Sequence, residues 1–156
     1  ETGQLSSQEF YDAFCQQTSS QPDYDRFAEA VGDIFQPNVS IAPVIAGLVA
    51  GGYRVGLLSN TNALHWEYVS QGRYGLLRDV FVCEALSYKL GCAKPDEAIF
   101  QKAAVLAGAK PSEIFFVDDT AGHVQAARSA GWNAVQYTTT PQLVQDLRNH
   151  GLRFNY

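Results

Sequence analysis

The segment that decides the fold runs from Ile114 to Asp119 and reads Ile-Phe-Phe-Val-Asp-Asp. Four consecutive apolar residues predict a strand buried on both faces, because a strand with one wet face would alternate apolar and polar residues. The carboxylates of Asp118 and Asp119 follow at the point where this strand ends. Ligands of open parallel sheets bind at the carboxyl ends of the strands, so the same segment predicts the place of a site.

Helices and strands alternate on both sides of this segment. Further strands are predicted by mostly apolar runs at residues 53–58, 80–83 and 134–137. Apolar positions three to four residues apart predict helices between them, at residues 41–50, 64–69, 95–108, 124–130 and from Pro141 onwards. This alternation predicts an α/β fold, namely a Rossmann-like parallel sheet with helices on both faces.

The first 38 residues have a different pattern, which predicts helices only. Ser6 and Glu9 have the spacing of a capping box, which would begin a first helix. A second helix is predicted after Gln21, with a buried stripe formed by Phe27, Val31, Ile34 and Phe35. We therefore divide the chain into a helical unit at residues 1–38 and an α/β core at residues 39–156.

Composition excludes several classes of protein. Of the 156 residues, 46% are hydrophobic and 17% are charged, which excludes a disordered or fibrous chain. The net charge of -5 repels phosphate backbones, so we expect no nucleic-acid partner. No apolar run is long enough to span a membrane, so we expect no membrane partner. Three widely spaced cysteines predict neither a disulfide framework nor a zinc site, and they favour a reducing, cytoplasmic compartment.

Polar residues at strand ends and helix starts form a candidate site. Ser59 and Asn60 follow the first predicted strand, and Lys94 precedes a predicted helix. Paired carboxylates at a buried strand end need a cation or an ammonium beside them, and an all-oxygen donor set suits Mg²⁺. A hydroxyl at a helix start can bind a phosphate oxygen. Each feature alone is more often a turn, a cap or a surface charge, so their order along the chain carries the hypothesis.

Three of these segments resemble motifs of the haloacid dehalogenase-like hydrolases. Leu57 to Asn60 is similar to the second motif, Lys94-Pro95 to the third, and Phe116 to Asp119 to the fourth. The residues from Ser59 to His65 resemble the subgroup of bacterial sugar-phosphate phosphatases. The opening residues Glu1-Thr2-Gly3 resemble the middle of that subgroup's small helical cap. The resemblance thus implies a partial cap at residues 1–38.

The resemblance also implies an activity. It points to a Mg²⁺-dependent phosphatase that hydrolyses a small phosphorylated metabolite, a sugar phosphate, through a phospho-aspartyl intermediate. Ser59 and the backbone N–H of Asn60 would bind the phosphate, and Lys94 would neutralise both the phosphate and the nucleophile. Asp119 would coordinate Mg²⁺ directly, while Asp118 would bind it through water or orient Lys94. His123 stands where the family often has Asn.

The family's first motif, Asp-x-Asp-x-Thr or a relative, has no counterpart here. It supplies the nucleophile and the acid/base, and its strand would lie between the strands ending near Leu58 and Val117. The pair Asp23 and Asp25 is predicted to lie in a helix rather than after a strand, and we reject it as a substitute. We therefore expect the N-terminal part of the protein to lie outside this chain.

Two alternatives stay open. A 2-haloacid dehalogenase would use the same Ser59-Asn60 and Lys94 types without a metal, although the doubled Asp118-Asp119 argues against a carboxylate substrate. A catalytically inactive fragment or binding domain of the same fold would explain the missing first motif. The intact serine, lysine and Asp pair argue against it. Substrate identity and oligomeric state do not follow from the sequence.

Overall fold

The computed structural model describes residues 2–70 and 80–156, so Glu1 of the cap-like opening lies outside the described residues. The elements in chain order are α1 (Ser7–Thr18), α2 (Tyr24–Gly32), α3 (Ala42–Ala50), β1 (Leu57–Ser59), α4 (Ala63–Tyr68), β2 (Glu84–Leu86), α5 (Ser87–Leu90), α6 (Glu97–Ala107), β3 (Phe115–Asp118), α7 (Ala121–Ser129), β4 (Asn133–Gln136) and α8 (Thr140–Asn149). Short 3-10 turns occupy Val39–Ile41 and Pro111–Glu113. The predicted α/β fold is confirmed.

The strands form two parallel pairs. β1 pairs with β2, with Ser59 opposite Leu86, and β3 pairs with β4, with Asp118 opposite Gln136. In each pair the carboxyl ends therefore lie at the same edge, so Ser59 and Asp118 both stand at the end of a strand. Parallel pairing places helices in the connections between the strands, as the alternating pattern predicted.

The pair β3–β4 is covered by side chains on both faces. Phe116 and Ala134 belong to a core with residues of α6 and α7, including the fully buried Phe100. Phe115, Val117 and Val135 pack on the other side against residues of α3 and α8, namely Val44, Leu143, Val144 and Leu147. The prediction that the apolar run at residues 114–117 is buried on both faces is confirmed.

Two strand predictions were wrong in position. The structure places β1 at Leu57–Ser59 rather than residues 53–58, and β2 at Glu84–Leu86 rather than residues 80–83. The apolar run before β2 makes isolated hydrogen bonds with the segment before β1: the Val82 N–H donates to the Val55 carbonyl at 2.8 Å. The continuous β1–β2 pairing begins only at Glu84. Because Glu84 is polar, a search for apolar runs does not predict a strand there. α5 begins directly at Ser87 and was not predicted.

The first helices begin at specific caps. The Ser6 side chain accepts from the Glu9 N–H and Glu9 accepts from the Ser6 N–H, which confirms the capping box of α1. Asp23 caps α2 through the Arg26 N–H, so the rejected Asp23-x-Asp25 pair does lie at a helix start. Phe27 is buried and its ring contacts those of Phe10, Tyr11 and Phe14.

The predicted apolar stripe of α2 is only partly formed. The helix ends at Gly32, and beyond it Ile34 is 63% exposed and Phe35 is 39% exposed, so these two residues do not extend a buried stripe. A Cβ at Gly32 would lie 2.4 Å from Cγ of Tyr68, so only glycine allows α2 to approach α4 this closely. The prediction failed because it continued a helical period past the helix end.

A hydrogen-bonded cluster joins the linker between α2 and α3 to the end of β4. Asn38 Nδ2 donates to the Tyr137 hydroxyl at 2.7 Å, and the Ser40 hydroxyl donates to Asn38 Oδ1 at 2.6 Å. The Tyr137 hydroxyl lies 2.9 Å from the hydroxyl of Thr140 at the start of α8. These bonds lower the pKa of Tyr137 and hold the linker to the core at the same edge as the strand ends.

No helix of the described ranges is long and apolar enough to cross a membrane.

Candidate active site

Lys94 connects the two pairs of strands. Its Nζ lies 2.6 Å from Asp118 Oδ2, at the end of β3, and donates to the carbonyl of Leu58 in β1 at 3.2 Å. The Lys94 and Asp118 side chains are 8% and 6% exposed, so this is a buried ion pair. The Phe116 ring centroid lies 5.6 Å from the same Nζ, which adds a cation–π contact. The ammonium has three N–H groups, and within residues 2–70 and 80–156 two of them have acceptors, which leaves one for a further acceptor.

Asn60 holds the backbone on which Lys94 stands. Its Nδ2 donates to the Lys94 carbonyl at 2.9 Å, and its Oδ1 accepts from the Lys94 N–H at 2.8 Å. The sequence predicted a backbone role for Asn60, and the structure adds this two-bond side-chain clamp. The Lys94–Pro95 peptide bond is cis, and α6 begins at Glu97 after an Asp96 cap rather than at Pro95 as predicted.

Both oxygens of Asp118 are occupied. Oδ2 accepts from Lys94, while Oδ1 accepts from the Thr120 N–H at 2.9 Å and lies 3.0 Å from His123 Nδ1. Burial raises the pKa of Asp118, but the bonds from Lys94, Thr120 and His123 and the charge of Lys94 outweigh it. The pKa therefore lies below its ordinary value, and the carboxylate is ionised at neutral pH.

Asp119 differs from its neighbour in exposure and contacts. Its residue is exposed, and its carboxylate makes no hydrogen bond or ion pair within the described ranges. Its backbone is nevertheless fixed, because its carbonyl accepts from Gln136 Nε2 of β4 at 2.8 Å. The two adjacent aspartates thus divide two tasks: Asp118 orients Lys94, and Asp119 presents an exposed carboxylate at the strand end.

Ser59 ends β1 beside the carbonyl that binds Lys94. Its side chain is half-buried, and its hydroxyl makes no hydrogen bond within residues 2–70 and 80–156. The loop after it is fixed by Ser87, whose Oγ accepts from the Thr61 N–H and donates to the Thr61 carbonyl, both at 2.9 Å. Direct contacts thus join Lys94 to Asp118 and to Asn60. Ser59 is the chain neighbour of Asn60, and Asp119 is the chain neighbour of Asp118.

The donor set fits Mg²⁺ only in part. In the described residues no group of three or more His, Cys, Asp and Glu side chains could hold an ion. The exposed carboxylate of Asp119 is a suitable ligand, and Asp118 has both oxygens engaged. Mg²⁺ commonly takes one or two carboxylates and fills its remaining positions with water and phosphate oxygens. Asp119, with Asp118 in a supporting position, satisfies that smaller requirement.

Sequence reasoning missed Ser87 and undervalued His123. Ser87 directly follows β2, so the strand-end rule that selected Ser59 and Asp118 would have selected it had β2 been placed correctly. The sequence marked His123 as a departure from the Asn that the family often has there, yet its ring contacts Asp118 and its side chain is 20% exposed. Its position, five residues after Asp118 and one turn into α7, was the available signal.

Comparison with known proteins supports the resemblance to haloacid dehalogenase-like hydrolases. Residues 6–131 match the family model described as haloacid dehalogenase-like hydrolase. A phosphatase of Mycobacterium tuberculosis (strain CDC 1551 / Oshkosh) is 30% identical over 133 residues, which cover 83% of this chain and 58% of that protein. A D-ribitol-5-phosphate phosphatase of Bacteroides thetaiotaomicron is 36% identical over 90 residues, covering 54% of this chain and 43% of that protein. The chain thus spans about half the length of these curated relatives.

Solved structures share the fold. A HAD family enzyme of Bacteroides thetaiotaomicron, in complex with magnesium and inorganic phosphate, superposes with a TM-score of 0.79 at 26% identity, covering 89% of this chain and 72% of that one. The L-2-haloacid dehalogenase of Xanthobacter autotrophicus has a TM-score of 0.63 at 18% identity, over 94% of this chain and 61% of that one, which shows a common fold alone. With a family model that covers well over half of its residues, this chain belongs to the haloacid dehalogenase-like hydrolases.

Proposed function

We propose that the protein is a Mg²⁺-dependent phosphatase that hydrolyses a small phosphorylated metabolite of the sugar-phosphate class. The observation that carries this proposal is the buried ammonium of Lys94, held between the Leu58 carbonyl and the Asp118 carboxylate, with a third N–H that has no acceptor in the part of the chain that the structure describes. The two curated phosphatases support the reaction class, and the one named for D-ribitol 5-phosphate supports the substrate class.

The residues of this chain would bind and neutralise the transferred group. The hydroxyl of Ser59 and the third N–H of Lys94 are the donors offered to phosphate oxygens, and Asn60 keeps the Lys94 backbone in place. A fixed ammonium beside the phosphorus lowers the energy of the charge that develops during transfer. The ionised Asp118 holds that ammonium in place through the 2.6 Å contact between its Oδ2 and Lys94 Nζ.

The nucleophile is proposed to be an Asp outside this chain. It would attack phosphorus and break the bond to the sugar oxygen, which would leave as an alcohol after taking a proton from the acid/base of the same first motif, and a phospho-aspartyl group would remain. Water would then attack the same phosphorus, releasing inorganic phosphate and restoring the carboxylate. Mg²⁺ bound through Asp119 would supply positive charge to the phosphoryl oxygens.

The proposal also includes a cytoplasmic location, supported by three free thiols at Cys15, Cys83 and Cys92, and no nucleic-acid partner.

The first test replaces Asp119 by Ala in the whole protein. Phosphate release from a panel of sugar phosphates should fall by about 10²–10³-fold, the usual loss when one charge-stabilising contact of a transition state is removed. Asp25→Ala is the matched control, because Asp25 is an exposed carboxylate at the start of α2 and its loss should leave the rate unchanged. Near-normal turnover in the Asp119 variant would overturn the assignment. A loss in the Asp25 variant would restore the rejected Asp23-x-Asp25 pair.

Chelation separates the alternative activities. A phosphatase of this kind should lose its activity in excess EDTA and regain it with added Mg²⁺. Turnover of a 2-haloacid that survives EDTA would instead establish the dehalogenase. Binding of a sugar phosphate without turnover by the whole protein would identify a non-catalytic binding domain.

A further inference from the structure

A cavity lies at the edge of the molecule opposite the candidate active site. It has a volume of about 560 Å³ and lies between the end of α3, the end of α8 and the chain that follows α8. α3 leads into the start of β1, and α8 runs back from the end of β4, so both helices end at the edge where the strands begin. None of the active-site residues Ser59, Lys94, Asp118 and Asp119 lines this cavity.

Close backbone contacts build one wall of the cavity. Gly151, with φ +85°, turns the chain back after α8, and residues 153–155 then cross α3. A Cβ on Gly47 would lie 2.3 Å from the Asn155 carbonyl oxygen, and one on Gly51 would lie 3.2 Å from that of Arg153. The Arg153 N–H donates to the Tyr53 hydroxyl at 2.9 Å, which fastens the segment to the core.

Two arginines are among the residues that line this cavity. Arg148 comes from the last turn of α8 and Arg153 from the returning segment. Neither forms an ion pair within the described part of the chain, where the ion pairs are those of Asp118. A helix end already favours one cation, which would explain Arg148 alone. It does not explain a second arginine on another segment of a chain whose net charge is -5.

The same cavity also has apolar walls. Leu152 and Phe154 line it, and both belong to the apolar cluster with α3 and α8. The combination of two arginines with an aromatic and an aliphatic residue suits a ligand that is charged at one end and apolar at the other. Arginine binds oxyanions of phosphate or carboxylate type through paired N–H groups.

We propose that this cavity is a second ligand site, which binds a small organic anion with a doubly charged oxyanion head and an apolar body. Arg148 and Arg153 hold the head, and Leu152 and Phe154 contact the body. The site is separate from the phosphoryl-binding residues, so it does not depend on the proposed phosphatase activity.

Phenylphosphonate is a suitable probe, because it has both parts and no ester bond that a phosphatase could cleave. Calorimetric titration of the metal-free protein should detect binding, and Arg148→Gln or Arg153→Gln should each weaken it about tenfold, which equals about 1.4 kcal/mol. Inorganic phosphate, which lacks the apolar body, should bind this cavity more weakly than phenylphosphonate. Circular dichroism of each variant checks that the fold is retained.

Two further variants distinguish binding in this cavity from binding elsewhere on the protein. Lys110→Gln removes an exposed cation that does not line the cavity, and it should bind phenylphosphonate as the unaltered protein does. Ser59→Ala removes a hydroxyl of the active site, so it should weaken any binding of the probe there and leave in place the binding that depends on Arg148 and Arg153. The proposal is overturned if no binding is detected at millimolar probe, if both arginine variants bind normally, or if Ser59→Ala alone removes the binding.

Discussion

The strand pair β3–β4 and the helix pair α1–α2 differ in how deeply the apolar side chains around them are buried. Around β3, side chains such as Ile99 and Phe100 are 0% exposed and form a continuous core. α1 has no buried residue, and α2 buries only Phe27 and Gly32. Beyond α2, Ile34 is 63% exposed. Apolar residues of similar type therefore contribute very different amounts to stability in the two regions.

The difference extends to polar groups. The charged pair Lys94–Asp118 is enclosed by the core, and every oxygen of its carboxylate has a donor. The helix pair instead depends on caps at exposed positions, such as Ser6 with Glu9. Changes in the first region should thus unfold the whole core, and changes in the second should act locally. Three pairs of substitutions test this comparison.

The largest effect is expected from Phe100→Ala. Phe100 is 0% exposed and its ring packs edge-on against Phe116 at 5.8 Å and Trp132 at 5.4 Å. Its removal should lower the free energy of unfolding by about 3–5 kcal/mol, measured by urea denaturation. Ile34→Ala also removes a large apolar side chain, but from an exposed position, and should change it by less than about 0.5 kcal/mol. Equal losses would show that the segment directly after α2 is as tightly packed as the core.

A smaller loss is expected from Asp118→Asn. Each oxygen of Asp118 accepts from a donor, so the amide group of Asn must face either Lys94 or the Thr120 N–H and leave a buried donor unsatisfied. The free energy of unfolding should fall by about 3 kcal/mol. Asp119→Asn makes the same chemical change at the adjacent, exposed residue and should cost less than about 0.5 kcal/mol. Similar costs at both positions would contradict the division of tasks between the two aspartates.

Sequence patterns predicted the region around β3 well because one physical property determined it. An apolar run buried on both faces has a single interpretation, and the residues at its end are then placed by the direction of the strand. Strand ends and helix starts were enough to select Lys94, Asn60 and Asp118. Their hydrogen-bonding partners did not follow, since the side-chain clamp of Asn60 depends on how close two loops approach.

Prediction failed where a local pattern competed with tertiary contacts. The apolar run before β2 suggested a strand four residues too early, and Ser87 was missed as a consequence. Ile34 and Phe35 continued a helical period, but α2 had already ended at Gly32 against Tyr68. Whether a side chain is buried depends on which other part of the protein packs against it. The spacing of apolar residues along one segment carries no information about that packing.

The smallest effect should come from the cap of α1, and it tests whether the helix pair unfolds by itself. Ser6→Ala removes the acceptor of the Glu9 N–H and should cost about 1 kcal/mol of helix stability. Ser7→Ala is the matched control, since Ser7 is the first residue of α1 and forms no cap hydrogen bond. If the helix pair opens separately, hydrogen exchange at residues 10–18 should quicken about fivefold in Ser6→Ala, while exchange in β3 and the urea midpoint stay unchanged. A shift of the midpoint equal to the loss in α1 would mean that α1 unfolds together with the core. The contacts of Phe27 with α1 and the close approach of Gly32 to Tyr68 of α4 would then couple α1 to the rest of the protein.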